Sequence, residues 1–395
     1  MEFLPSSLKS PESGKSFNIF NWDYLQIISL VFLSVVGLVF INSIGNQIGS
    51  DAAAMFFEKQ LQWLYAGIAL WLIASFVNVK SNYFFIFSIL FYILTIGLLI
   101  TVLFFGIRIF GATRWLSFAG LRLQPSELAK PALALILGAI YSRFSANSWK
   151  GFILGVTALI IPFLLILKEP DLGSAAILIP VYIGIVFVSK LRWKYLITAA
   201  VAATILGGAA VANEAMKIKP VLKSYQLDRI KVFLNPESDR LHRGYNAYQA
   251  RLAVGSGGKS GKGIGGGTQN SLGFLPHTVS NNDFIFSVIA EETGFAGCTL
   301  LLLGYVVMFI SILRTAYIID NDFCRCFAVG TGIFLFCHVF INIGMSIGLT
   351  PVTGLPLPMI SYGGSSLLVT MASLGLLQSI YRRRPENKTL PRNIN

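Results

Sequence analysis

The chain has 395 residues, of which 54% are hydrophobic and only 12% charged, and its formal net charge is +13. That charged share is about half of what an ordinary soluble domain carries. A water-soluble enzyme of normal surface is excluded, and lipid must be part of the solvent.

A polar tail, Met1 to Lys15, precedes the first apolar run without a small-residue cleavage site, so that run reads as a retained helix. Backbone groups in hydrocarbon must bond within their own segment, so each apolar run becomes a helix and each polar run a loop. At roughly 20 residues per span, the pattern predicts an all-α polytopic membrane protein of about ten helices. The predicted spans are 24–42, 61–79, 83–105, 125–142, 151–167, 172–189, 194–213, 284–313, 326–348 and 362–381. The chain thus divides into an N-terminal tail (1–23), a membrane domain (24–381) with a long outer loop (214–282), and a basic tail (382–395). The cysteines Cys298, Cys324, Cys326 and Cys337 match neither a disulfide framework nor a zinc site and read as unpaired thiols.

Short loops rich in Lys and Arg favour the cytoplasm. With both termini inside, Lys80, Arg143, Lys150, Lys190, Arg192, Arg314, Arg325 and Arg382 to Arg384 are all cytoplasmic. Two outer connections break the rule. One is Gly106 to Gln124, with Arg108, Arg114 and Arg122; the other is Glu214 to Asn282, with a surplus of basic residues. Long loops translocate regardless of charge, so plain solvated surface is one reading, and a platform for a phosphate-bearing lipid head group is the other. Within the second, Ile218, Val221, Leu222 and Tyr225 interleave with Lys219 and Lys223 at helical spacing, which suits a helix lying in the interface. The stretch GSGGKSGKGIGGGTQ from Gly255 resembles a phosphate-binding loop but fails the nucleotide pattern at Ser256 and Gly263. It reads either as flexible linker or as backbone amides and Lys262 able to cradle a pyrophosphate.

Carboxylates at the ends of spans are costly and therefore informative. Asp283 opens the run DFIFSVIA and reads either as a helix cap or as a general base at the water boundary. Glu291 shares its helix about 12 Å further along the axis and reads as a buried structural partner. Glu127 and Lys130 in QPSELAK are an ion pair or the lining of a polar cavity; Asp171 in KEPDLGS is a cap or a third member of that cavity. Trp115 beside Arg114 is either an interfacial belt residue or a surface for sugar and phosphate. PVTGLPLPMISYGGSS from Pro351 is irregular backbone, tolerated at membrane depth only where buried or lining a cavity.

Taken together and in order, GATRWLSFAGLRLQPSELAK, EPDLG, GYNAYQARLAVGSGGKSGKGIGGGTQNSLGFLP, DFIFSVIAEETG and PLPMISYGGSS resemble the SEDS family (shape, elongation, division and sporulation) over residues 24 to 381. GTQNSLGFLP and GLPLPMISYGGSS are more similar to its elongation branch than to its division or sporulation branches. The resemblance implies a ten-helix fold in the bacterial cytoplasmic membrane and peptidoglycan glycosyltransferase activity on lipid II, with undecaprenyl pyrophosphate released. It implies as partners a class B penicillin-binding protein transpeptidase and membrane proteins of the elongation complex, and no nucleic acid. Asp283 matches the family's proposed catalytic base and Trp115 its outer-loop tryptophan, while Glu127, Lys130 and Asp171 match polar residues of its central cavity. The chain departs from the family before Asp283, where HTVSNN is longer than usual and lacks the customary Glu and Thr. Arg114, Lys130 and Lys262 are the expected cations for the pyrophosphate. A divalent cation can share that task, although the sequence shows no dedicated ligand cluster. A flippase of lipid-linked precursor is the rival class, which would need polar groups along both halves of the path.

Overall fold

Every predicted span except the seventh has a helix in its place in the computed structural model, which describes residues 21–48, 50–79, 82–109, 112–118, 121–189, 233 and 244–384. The predicted span 194–213, most of the predicted interfacial helix and most of both tails lie outside the described residues. The first half comprises α1 (Tyr24–Ile48), α2 (Ser50–Phe76), α3 (Asn82–Phe105), α4 (Pro125–Arg143), α5 (Trp149–Lys168) and α6 (Leu172–Val188). The second comprises the short α7 (Tyr245–Ser256), α8 (Thr268–Ser271) and α9 (His277–Ser280), then α10 (Ile285–Ile318), α11 (Asp322–Ile347) and α12 (Gly364–Arg382). Six of these helices are long and apolar enough to cross a membrane.

Local chemistry sets the helix ends. Asp23 accepts from the Leu25 amide at the start of α1, Ser148 from Gly151 at the start of α5, Asp171 from Ser174 at the start of α6 and Asn321 from Cys324 at the start of α11. Pro125 occupies the first turn of α4, where its missing amide costs nothing, and Gly348 ends α11 in the left-handed region. Helix α4 is the hub: it packs on α3, α5, α6 and α11, and Leu133, Ala134, Leu135 and Leu137 are buried. On α3, by contrast, Tyr83, Ile86, Phe87, Leu90, Ile93 and Leu94 are exposed, a face that suits hydrocarbon.

Two features add detail to the helical architecture. The connection from α3 to α4 is a three-stranded antiparallel sheet of β1 (Ile107–Ile109), β2 (Ala112–Phe118) and β3 (Leu121–Leu123), with Trp115 opposite Ile107 and Leu116 opposite Leu123. Its signal was present in Ile107-Arg108-Ile109 and Leu121-Arg122-Leu123, which alternate with the period of a pleat. The second feature is a break in α10 at Gly294 (φ 65°, ψ −161°).

The glycine-rich loop after α7 fills that break. The Glu291 and Glu292 carbonyls, freed from their helical partners, accept from the Lys262 and Gly263 amides at 3.0 and 2.9 Å. The Phe295 and Ala296 amides donate to the Gly258 and Lys259 carbonyls at 2.9 and 3.1 Å. Backbone meets backbone here: Gly261 has φ +75°, and a Cβ on it would lie 2.2 Å from the Glu292 carbonyl oxygen.

Candidate active site

The start of α4, the cap of α6 and the middle of α11 bring polar groups into an otherwise apolar interior. Lys130 is wholly buried, its Nζ 2.6 Å from Glu127 Oε1 and 2.6 Å from His338 Nε2. Asp171 caps α6 through Ser174 and also accepts from Gln124 Nε2 and Ser126 Oγ, each at 3.2 Å. Arg114 reaches down from β2: its guanidinium stands 3.7 Å from Asp171 Oδ1 and donates to the carbonyls of Glu169 and Pro170. Burial works against the Asp171 charge, but Arg114, the Ser174 bonds and Lys130 together hold its carboxyl below the usual range. Glu169, on the same turn, is buried with no hydrogen-bond partner for either carboxyl oxygen among the described residues. Desolvation, with Asp171 beside it and Arg114 acting oppositely, pushes its carboxyl up to about 9.

The segment between α11 and α12 backs this cluster. Its prolines supply carbonyls but no amides, so donors must come from side chains of neighbouring helices. They do: Asn342 Nδ2 donates to Leu355 at 2.8 Å, His338 Nδ1 stands 3.1 Å from the Pro356 carbonyl, and Tyr305 donates to Pro358 at 2.6 Å. Gly173, two residues past Asp171, is pressed on Thr353 and Leu355 so closely that a Cβ would lie 3.0 Å from the former.

Asp283 stands on the other side of the same segment. The turn that carries it is strapped down by consecutive carbonyls: Asn281 accepts from the Tyr362 amide at 2.9 Å, Asn282 from Ser361 Oγ at 2.6 Å, and Asp283 from Asn342 Nδ2 at 3.0 Å. Asp283 does not cap α10; Phe284 holds that position, with no side-chain bond. Its carboxylate lies over Gly354, where φ is +76° and a Cβ would approach Oδ2 to 3.3 Å. Asp283, pinned through its own carbonyl and only partly buried as a residue, is an acid in a place suited to proton abstraction.

The structure therefore brings Arg114, Glu127, Lys130 and Asp171 into one cluster, linked to Asp283 through residues 342 and 354–356. Trp115 is half-buried next to Arg114 on β2. Lys262 departs from expectation. Its Nζ lies 2.5 Å from Glu291 Oε1 and 2.7 Å from Thr268 Oγ1, while the Gly265, Thr268 and Gln269 amides donate to Glu292 and Glu291. The amides expected to face a pyrophosphate are thus engaged by the protein's own carboxylates. Sequence reasoning passed over His338, Asn342 and Glu169. The first two, with Ser346, form a polar stripe at four-residue spacing in an apolar span, which is a readable signal. Among the described residues no group of three or more His, Cys, Asp or Glu side chains is placed to hold a metal ion.

The FtsW/RodA/SpoVE family of cell cycle proteins matches residues 23–386. The chain is 39% identical to the peptidoglycan glycosyltransferase MrdB of Escherichia coli K12, over 74% of this chain and 77% of that one. It is 30% identical to the peptidoglycan glycosyltransferase RodA of Treponema pallidum, over 92% and 98%. Among solved structures it is similar to a chain from a peptidoglycan synthase complex that coordinates polymerization and crosslinking (TM-score 0.78, 28% identity, 93% and 99% covered). It is also similar to RodA of Thermus thermophilus (TM-score 0.67, 27% identity, 93% and 99% covered). With a family match over nearly the whole described chain, and its helices and motifs in the family order, the chain belongs to the FtsW/RodA/SpoVE (SEDS) family of multi-pass membrane proteins.

Proposed function

We propose that this protein is a peptidoglycan glycosyltransferase that polymerises lipid II at the outer face of the bacterial cytoplasmic membrane, serving cell elongation, with both termini cytoplasmic. The observation that carries this reading is the pairing of two chemistries across one irregular segment: an acid pinned through its main-chain carbonyl, Asp283, and two cations held by carboxylates, part-buried Arg114 and buried Lys130. Its relatives named RodA and MrdB support the elongation role. The likeness to a chain of a synthase complex supports a class B penicillin-binding protein as the crosslinking partner.

In this mechanism Asp283 takes the proton of the acceptor's GlcNAc 4-hydroxyl as its oxygen attacks C1 of the donor's MurNAc. The new glycosidic bond forms as the bond from C1 to the pyrophosphate oxygen breaks, inverting the anomer and releasing undecaprenyl pyrophosphate. Arg114 and Lys130 offset the charge that develops on the leaving pyrophosphate, in a site dry enough to make that attraction strong. Trp115 offers a sugar-facing surface beside them. Asp171 and Glu127 hold the two cations in place, and Lys262 is assigned to the clamp around Glu291.

The test is Asp283→Asn in purified protein supplied with lipid II and its transpeptidase partner. Strand formation should fall by about 100-fold to 10,000-fold. Polymerisation at the parent rate would overturn the assignment.

A further inference from the structure

His338 is a buried histidine whose two ring nitrogens face groups of opposite kind. On one side stands Lys130 Nζ at 2.6 Å; on the other, the Pro356 carbonyl at 3.1 Å. A lysine ammonium has donors only, and Glu127 Oε1 accepts from it at 2.6 Å. Nε2 must therefore accept. A proline carbonyl accepts only, so Nδ1 must donate. Both demands are met by a single state of the ring, the neutral imidazole protonated at Nδ1, because an imidazolium would aim a proton at an ammonium in contact with it. The ring belongs to α11, yet it ties α4 to the segment whose Gly354 lies beneath Asp283 and whose Leu355 shares the Asn342 donor with Asp283.

We infer that His338 is a positioning residue for glycosyl transfer, a neutral Nδ1-protonated imidazole that fixes the Lys130 ammonium and the backing of Asp283 in one geometry. This rests on the function proposed above. The Lys130 ammonium spends two hydrogens on Glu127 and His338, so its remaining direction is set by these two bonds and not by rotamer freedom. Without the His338 acceptor the ammonium would turn, and without the His338 donor the Pro356 carbonyl would stand unsatisfied in an apolar interior. The role differs from space filling, because it depends on donor and acceptor order and not on volume.

Two variants and one spectrum test it. His338→Gln keeps an acceptor for Lys130 and a donor for Pro356, whereas His338→Leu keeps bulk alone. In polymerisation of lipid II by the full-length protein, His338→Leu should lower kcat by roughly 100-fold, the cost of a misplaced catalytic group, with a smaller change in KM. His338→Gln should recover to within roughly tenfold of the parent. Equal rates for the Leu and Gln variants would overturn the inference. Independently of activity, the protein has three histidines, so replacing His242 and His277 by Asn leaves His338 to be observed by 15N-histidine NMR. A neutral ring protonated at Nδ1, unchanged from roughly pH 6 to roughly pH 8, is expected. An Nε2-protonated ring or an imidazolium would overturn the inference whether or not His338→Leu folds. If the parent fails to polymerise lipid II, the proposed function fails, and the spectrum still decides the state of the ring.

Discussion

Two buried networks of lysine and carboxylate stand near the entrances to α4, α6 and α10, and they are finished to different degrees. Around Glu291 and Glu292 every carboxylate oxygen has a donor, from Lys262, Thr268 and Gln269 on one side and from Ser43, Gln47 and Gly265 on the other, and only Gln269 Oε1 at its edge is buried without a partner among the described residues. Around Asp171 and Lys130 the count is incomplete: both Glu169 carboxyl oxygens and Ser174 Oγ are buried without a partner among the described residues. A closed network of this kind holds a fold together, while an open one is where a native protein expects another molecule. The glycine loop, which in sequence looks like the binding element, belongs to the closed network. The short EPDLG turn, which looks like a simple cap, belongs to the open one.

The sharpest way to break this contrast is to remove each lysine in turn. Lys130→Met should reduce turnover of lipid II by about 100-fold to 1,000-fold, the effect of deleting one transition-state donor in a water-poor site. Lys262→Met, which takes the cation from a fully buried Glu291, should leave turnover near the parent and cost about 1–3 kcal/mol of stability. Both are read from initial rates alongside thermal melts in the same detergent. A tenfold rise in KM for Lys262→Met would put that residue back in the substrate site.

Gly261→Ala attacks the closed network directly. Its Cβ would meet the Glu292 carbonyl in a backbone conformation that alanine adopts at a cost, so the melt should show a loss of about 1–3 kcal/mol. Rate per folded molecule should change far less than in Lys130→Met, which thermal melts combined with active-site titration would report.

A smaller effect sharpens the open side. Glu169 rises from 4.5 to about 9 through burial first and Asp171 second, so between those values the folded protein holds a proton that the unfolded chain has released. Its contribution to stability is therefore fully present below the unfolded value and is lost as pH rises through the folded one. Glu169→Gln cannot ionise and should flatten that decline. Its melting temperature should overtake the parent's as pH increases, and a parallel pH dependence for the two proteins would contradict the assignment of Glu169 to a desolvated, unpartnered site.

Much of the fold was legible because hydrocarbon leaves the backbone few options: among the described residues, runs of apolar residues became helices at nearly the predicted places, α2 and α10 excepted. Helix α2 begins at Ser50, well before its apolar run, and α10 breaks at Gly294, where bonds to the loop around Gly261 replace its helical ones. Such replacement is a tertiary event and leaves no trace in hydropathy. At the site, Glu127 with Lys130 was readable as a contact because helical spacing fixes it, and Asp171 as a cap for the same reason. The joining of Arg114 to Asp171, and of Lys130 to His338, spans residues far apart in the chain and needed the fold. The glycine loop misled because amide-rich turns look alike whether they embrace a phosphate or a side-chain carboxylate.

The strap that holds residues 281–283 to Asn342, Ser361 and Tyr362 has a consequence for engineering. The unusual HTVSNN approach and the MISY turn are two halves of one joint, so a chimera that imports either half from a homologue inherits a mismatched hinge. Swapping both together should transplant the reacting acid intact.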